Sequence, residues 1–144
     1  MKVRNILTTK GTNVITVRPE QSLQEAARLL AEYNIGALVA LNETGQVVGI
    51  ISERDIIRKT ARQADAFSRP VGEVMTKDVI TGLPNDDLVS VMHTMTERRF
   101  RHLPIVEQGE LVGIISIGDI VKSQRDQYKG ELDTLQTQII ADED

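Results

Sequence analysis

The chain has 144 residues, no cysteine and a formal net charge of -4, with 40% hydrophobic and 26% charged residues. That length suits one compact domain or two small units sharing a core, and the missing cysteines exclude disulfides, thiolate metal sites and cysteine nucleophiles. An acidic balance and only four scattered aromatics, Tyr33, Phe67, Phe100 and Tyr128, argue against nucleic acid, which needs a basic face or a stacking platform.

No apolar run approaches the roughly 18 residues that span a bilayer. Met1-Lys2-Val3-Arg4-Asn5 lacks the apolar core of a signal peptide. A cytoplasmic protein without membrane contact is expected. In chain order, a short segment, Val3 to Thr8, precedes a β-branched run from Val14 to Val17 that Arg18-Pro19 ends. Ser22 opens a helix, with Glu25 three residues on completing a capping box. Leu23, Ala26, Ala27 and Leu30 give that helix an apolar stripe. Ile35 to Leu41 is a buried strand, and Asn42-Glu43-Thr44-Gly45 turns it into Val47 to Ile51. A second helix starts at Ser52. Residues 58–70 carry Arg58, Lys59, Arg62 and Arg69 and read as a solvated helix end and loop.

The pattern then repeats. Val14-Ile15-Thr16 returns as Val79-Ile80-Thr81, an offset of 65 residues that also pairs Leu23 with Leu88, Leu30 with Met95 and Leu38 with Leu103. After one deletion the offset is 64. It then pairs Gly49-Ile50-Ile51-Ser52 with Gly113-Ile114-Ile115-Ser116, and Asp55 with Asp119. Val71 to Thr76 resembles the segment at Val3 to Thr8. Leu88, Val91, Met92 and Met95 form the second stripe, Leu103 to Val106 the buried strand, and Gln108-Gly109 a tighter turn into Leu111 to Ile115. Each copy of roughly 60 residues reads β-α-β-β-α and is too small to bury a core well alone, so the copies are expected to pack together. The fold class is α/β in the α+β sense, two sheets with helices packed between them. Residues 1–66 hold the first repeat with its leading segment and linker, 67–127 the second, and 128–144 a helical extension ending in the acidic run Asp142-Glu143-Asp144. In that extension Val121, Tyr128, Leu132, Leu135 and Ile139 fall seven, four, three and four apart. Such a helix either packs on its own domain or makes a dimer contact; Gly130 weakens it locally.

The tetrads Ser52-Glu53-Arg54-Asp55 and Ser116-Ile117-Gly118-Asp119 carry the strongest chemical signal. Each follows an apolar strand and opens a helix. The plain role is a cap, serine on the first turn and aspartate favoured by the dipole. The same geometry can serve a ligand. Backbone N–H groups and a hydroxyl hold an anion, and a carboxylate one turn on accepts from a ribose diol.

Gly49 to Asp55 and Gly113 to Asp119 resemble the closing motif of CBS domains, the family named after cystathionine β-synthase, and Arg101-His102-Leu103-Pro104-Ile105-Val106 resembles its mid-repeat strand. The resemblance covers roughly residues 1–127 and implies a stand-alone pair of repeats about a pseudo-two-fold axis, with two clefts. It further implies an adenosine-containing ligand: AMP, ADP, ATP, S-adenosylmethionine or NAD. By position, Asp55 and Asp119 would take ribose hydroxyls, and Ser52 and Ser116 would lie by ribose or phosphate. Thr16 and Thr81 would contact adenine. Main chain at Gly36-Ala37 and at Arg101-His102, with Pro104 in the same strand, would line the base or phosphate end. The family also implies a homodimer and a regulated protein that the sequence does not identify.

The copies are unequal. Gly36-Ala37 aligns with Arg101-His102, and Glu53-Arg54 with Ile117-Gly118. Anion affinity should concentrate where Arg101 reaches, reinforced by Arg54, Arg98 or Arg99; the arginines near the helix end also suit its negative pole. Gly118 leaves room for a longer ligand. One cleft is expected to bind well and the other weakly. His93 reads as a surface or packing residue rather than a metal ligand. Without a P-loop, a G-x-G-x-x-G turn or a His-carboxylate constellation, the chain reads as a non-catalytic sensor with no catalytic cofactor. The alternative is a ligand-free structural or interaction module acting through dimerisation.

Overall fold

Ser22 and Asp87 open equivalent helices. The Ser22 hydroxyl accepts from the Glu25 amide at 3.2 Å, and the Asp87 carboxylate from the Ser90 amide at 3.1 Å. These caps start α2 (Leu23–Tyr33) and α4 (Leu88–Arg98), which end in the left-handed residues Asn34 and Arg99. Only half of the expected box forms at α2, because the Glu25 carboxylate accepts from Gln21 Nε2 at 3.0 Å instead of reaching back. The computed structural model describes residues 1–143, with side chains through residue 139.

The first sheet has the order β1-β2-β3. β1 (Thr16–Val17), shorter than the Val14 to Val17 run, lies parallel to β2 (Ala37–Leu41), and β3 (Val47–Ser52) returns antiparallel. Helix α3 (Glu53–Arg62) follows directly. The second sheet pairs β4 (His102–Glu107) with β5 (Glu110–Ser116), antiparallel. Its expected first strand shrinks to one parallel bridge between Gly82 and Ile105, where Gly82 donates to Pro104 O and accepts from the Val106 amide, each at 2.9 Å. Gly82 favours strand poorly, yet a Cβ there would lie 2.8 Å from Leu103 Cδ2, so close packing selects it.

The segments ahead of the repeats cross over. Helix α1 (Val3–Lys10) buries Val3, Ile6 and Leu7 among Leu88, Met95, Ile105, Ile115 and Ile120 of the second repeat. Val71, with Met75 packed beside it, joins Leu23, Leu38 and Ile51 of the first. Gly113 and Gly49 make the room. A Cβ on Gly113 would lie 2.6 Å from Leu7 Cδ2, and one on Gly49 would meet the Met75 side chain. Burying one leucine in this way contributes about 2 kcal/mol. Each core is thus completed by the segment that precedes the other repeat, which is how two such small units hold together.

Helix α5 (Ile117–Glu143) buries Ile120 but leaves Tyr128, Leu132, Leu135 and Ile139 between 43% and 64% exposed. Packing of this stripe on its own domain is therefore not what forms. The helix runs through Gly130, whose carbonyl accepts from Thr134 Oγ1 at 3.0 Å. The acidic run Asp142 to Asp144, expected to be a solvated tail, lies outside the residues whose side chains are described. Among the described residues no helix is long and apolar enough to cross a membrane.

Candidate functional site

Both tetrads form reciprocal caps. The Ser52 amide donates to Asp55 Oδ2 at 2.9 Å and the Asp55 amide to the Ser52 hydroxyl at 3.2 Å; Ser116 and Asp119 do the same at 2.8 and 3.1 Å. The first amide of each helix is also taken, Glu53 donating to Gly36 O and Ile117 to Arg101 O, each at 3.0 Å. Two of the first three amides of α3 and of α5 are thus used inside the fold, so anion attraction in this region falls mainly to side chains.

Those side chains converge at the first tetrad. A cavity of about 510 Å³ is lined by Gly36, Ala37, Ser52, Glu53, Arg54 and Asp55 from the first repeat and by Arg99, Phe100, Arg101 and His102 from the second. Ile50, Arg58 and Thr76 complete the wall. Four arginines face two carboxylates, and among the described residues none of the four forms an ion pair. Three of them have an evident structural origin. Arg54 and Arg58 lie one turn apart on α3, and Arg99 occupies the left-handed C-cap of α4 with φ 60°. Asn34, the equivalent cap in the first repeat, has φ 52° and is a residue type that tolerates this conformation better. An arginine there carries backbone strain at a ligand-sized cavity.

His102 stands between the repeats, its Nε2 3.3 Å from where a Cβ on Gly36 would sit. The equivalent positions Gly36-Ala37 and Arg101-His102 therefore meet, and a Cβ at Gly36 would make the imidazole give way by a few tenths of an ångström. Burial, foremost, and the nearby Lys10 and Arg101 charges hold the His102 pKa below the ordinary imidazole value, against the opposing pull of Asp119 and Glu53.

The second tetrad has a different setting. Lys10, at the end of α1, places Nζ 2.7 Å from Asp119 Oδ2 and 2.8 Å from Ile114 O. Burial acts to raise the Asp119 carboxyl, but the Lys10 hydrogen bond, the Ser116 amide and the Lys10 charge together hold it below the usual carboxylate range. Asp119 and Lys10 border a separate groove between α1 and α5 that also takes in Lys122 and Ser123.

Of the residues expected to bind ligand, Gly36, Ala37, Ser52, Arg54, Asp55, Arg99, Arg101 and His102 come together in the first cleft. Ser116, Gly118 and Asp119 sit at the second tetrad, where Gly118 has ample space beside Ser116. Thr16 and Thr81 line neither tetrad. Thr16 pairs with Val39 rather than with Ala37 at the cleft end of β2, and Thr81 lies in a separate hollow with Gly82 and Asp86. Pro104 is fully buried in the core. Arg98 does not line the cleft, whereas Arg58, Phe100, Thr76 and Lys10 were not foreseen. Arg58 had a legible signal, three residues after Asp55 on the same helix; Lys10 had none, since its neighbours belong to the other repeat. His93 meets Glu97 one turn on at 3.3 Å, a carboxylate at ligand spacing that the sequence reading passed over. Both are largely exposed, and among the described residues no cluster of three metal-ligating side chains exists.

The family model described as CBS domain matches residues 3–62 and 71–126. The CBS domain-containing protein YhcV of Bacillus subtilis is 40% identical over 116 residues, covering 81% of this chain and 82% of that protein. The crystal structure of the CBS-domain containing protein ATU1752 from Agrobacterium tumefaciens superposes with a TM-score of 0.83 at 42% identity, covering 86% of this chain and 99% of that one. The CBS domain protein PAE2072 from Pyrobaculum aerophilum, complexed with AMP, gives 0.75 at 27% identity over 83% of this chain and 89% of that one. With two interlocked repeats, two reciprocal Ser-Asp caps and a shared cleft, this chain belongs to the CBS-domain family as a tandem pair.

Proposed function

We propose that this chain is a non-catalytic regulatory module that binds a phosphate-bearing adenine nucleotide, AMP, ADP, ATP or NAD, in the cleft beside Asp55. The observation that carries the reading is the group of four arginines that have no ion-pair partner among the described residues, around a cavity of about 510 Å³, a size that suits a nucleotide. Guanidinium forks match phosphate oxygens and bind them bidentately. Asp55 Oδ2 is engaged by Ser52, which leaves the other carboxylate oxygen to accept from a ribose hydroxyl. Phe100 and the Gly36-Ala37 backbone supply apolar surface for a base. The AMP complex of PAE2072 supports the nucleotide class. The local positive excess disfavours S-adenosylmethionine, whose sulfonium is cationic. In a cytoplasmic setting the bound nucleotide would bias how the two repeats pack, and a regulated protein would read that difference.

A thermal-shift and calorimetric comparison of AMP, ADP, ATP, NAD, adenosine and S-adenosylmethionine tests this. Ligand at 100 times its dissociation constant adds about 2.7 kcal/mol of stability. Phosphorylated ligands are expected to shift the transition clearly and adenosine weakly, with Arg101→Ala erasing the difference. Equal binding of adenosine, S-adenosylmethionine and AMP would sink the phosphate assignment. One observation favours a second role, self-association through α5, whose stripe at Tyr128, Leu132, Leu135 and Ile139 is left exposed by the described residues.

A further inference from the structure

We propose that Lys10 closes the second cleft, so that one chain takes a single nucleotide and admits another only when the end of α1 moves away. The proposal rests on the nucleotide reading above and adds which cleft is open and what shuts the other.

The two tetrads are equivalent in sequence and cap geometry, yet their surroundings differ at one point. In the first repeat the segment ahead of the next repeat meets β3 through its backbone: the Thr76 amide donates to Ile50 O at 2.9 Å and the Ile50 amide to Thr76 O at 3.0 Å. That pairing uses no side chain, and Asp55 faces the cavity with only its own cap in place. In the second repeat the residue equivalent to Ile50 is Ile114, and a lysine side chain holds its carbonyl. The Lys10 ammonium spans Ile114 O at 2.8 Å and Asp119 Oδ2 at 2.7 Å. Lys10 joins the Ser116 amide on the same oxygen, Asp119 Oδ2, so the carboxylate that would accept from a ribose is already charge-compensated, with a lysine ammonium at its edge that has no counterpart at Asp55.

The difference begins in the leading segments. Val71–Glu73 is a single 3-10 turn, whereas Val3–Lys10 is a helix of eight residues anchored by Val3, Ile6 and Leu7. The extra turn carries Lys10 to the tetrad. Gly11 follows with φ 97°, a conformation that favours glycine and turns the chain off the helix. The pair is not sealed: the side chains of Lys10 and Asp119 remain 38% and 26% exposed. A contact of this kind is displaceable, so the closure is a bias against the second site that a strong competitor can overcome.

The test is titration calorimetry with AMP on four proteins: wild type, Lys10→Met, Asp55→Ala and the double variant. Methionine keeps the apolar stem and removes the charge, and the anchoring residues of α1 are untouched. Wild type is expected to bind one AMP per chain tightly and Lys10→Met two, with Asp55→Ala weakening the first site roughly tenfold or more and the double variant keeping one tight site, at the second cleft. Second-site affinity should rise roughly tenfold or more in Lys10→Met. Lys10→Gln should give the same count if the methionine variant proves poorly folded by its melting curve. A single site in both wild type and Lys10→Met, weakened on Asp55→Ala, overturns the closure and leaves the nucleotide reading standing. Two sites in wild type do the same. No binding to any of the four ends the nucleotide reading and takes this proposal with it.

Discussion

The amide of Ser52 donates to Oδ2 of Asp55 at 2.9 Å while the Asp55 amide donates back to the Ser52 hydroxyl at 3.2 Å. One carboxylate thus caps a helix and faces a cleft, and the two roles separate by measurement. Asp55→Ala should cost about 1 kcal/mol of stability as a lost cap and weaken AMP binding by about 1.5–3 kcal/mol as a lost charged acceptor. Asp119→Ala should lose comparable stability with AMP affinity at the first cleft unchanged. Denaturant melts with calorimetry on both variants decide it. Loss of AMP binding on Asp119→Ala alone would place the nucleotide in the other cleft.

Arg99 has φ 60° at the C-cap of α4, lining the arginine-rich cavity. A non-glycine residue in the left-handed region costs about 1 kcal/mol. Arg99→Gly should therefore raise the melting temperature by a few degrees while weakening AMP more than adenosine. A variant that is both less stable and unchanged in AMP affinity would show that the strained cap has no part in the phosphate site.

What the sequence made legible, and what it hid, follows from the range of the interactions. The serine caps, the apolar stripes and the repeat offset are local patterns, and they place α2 to α5, β2 to β5 and the tetrads but not helix α1, whose residues read only as a short leading segment. The role of Thr16 and Thr81 follows only from the family resemblance, carried over by position, and such a carry-over holds no information on strand register; Thr16 faces Val39, past the cleft end of β2. The cross-over of Leu7 into the second core depends on contacts across the whole chain, with Gly113 as its receiver. Nothing within a few residues of Lys10 announces Asp119, and so the inequality of the clefts was foreseen from Arg101 and not from the residue that shuts one of them.

His102 gives a pH dependence with a definite sign. Its folded pKa lies below the ordinary value of 6.5, chiefly through burial and then through Lys10, with Arg101 acting in the same direction and Asp119 and Glu53 against it. Above 6.5 both folded and unfolded chains hold it neutral, so it adds no pH dependence. As pH falls below 6.5 the unfolded chain takes up a proton first, and stability declines until the folded pKa is reached. Asp119, depressed below 3.8, contributes stability that is present above that value and lost as pH falls through its folded pKa. Melting curves between pH 8 and 5 should thus flatten in His102→Gln. A bound phosphate beside His102 favours the imidazolium, so AMP binding near pH 6.5 should take up a proton in wild type and less in His102→Gln, read from calorimetry in two buffers of different ionisation enthalpy.

Gly113 offers a second handle on α1. A Cβ there would lie 2.6 Å from Leu7 Cδ2 and 3.2 Å from Cδ1, and Leu7 is buried against the second core. Gly113→Ala should cost about 1–3 kcal/mol through overpacking and lift α1, loosening Lys10 from Asp119. Added AMP binding beyond the first site is then expected. Gly109→Ala is the control: φ 80° makes it strained, but no atom lies within 4 Å of the added Cβ. It should lose stability without opening the second cleft.

The exposed stripe on α5 sets the last expectation. Tyr128, Leu132, Leu135 and Ile139 repeat at coiled-coil spacing and are 64%, 43%, 56% and 54% exposed. Arg125 falls on the same seam, four residues after Val121 and three before Tyr128, where a facing copy would bring charges together. Self-association should therefore use the turns beyond Tyr128 and weaken toward the globular part. Sedimentation of the full chain is expected to show a dimer, and Leu132→Glu with Leu135→Glu a monomer. The melting temperature of that double variant should become independent of protein concentration, whereas wild type should stabilise as concentration rises. A wild-type chain that sediments as a monomer at high concentration would assign the stripe to a different partner. A double variant that remains dimeric would move the interface to the repeats themselves.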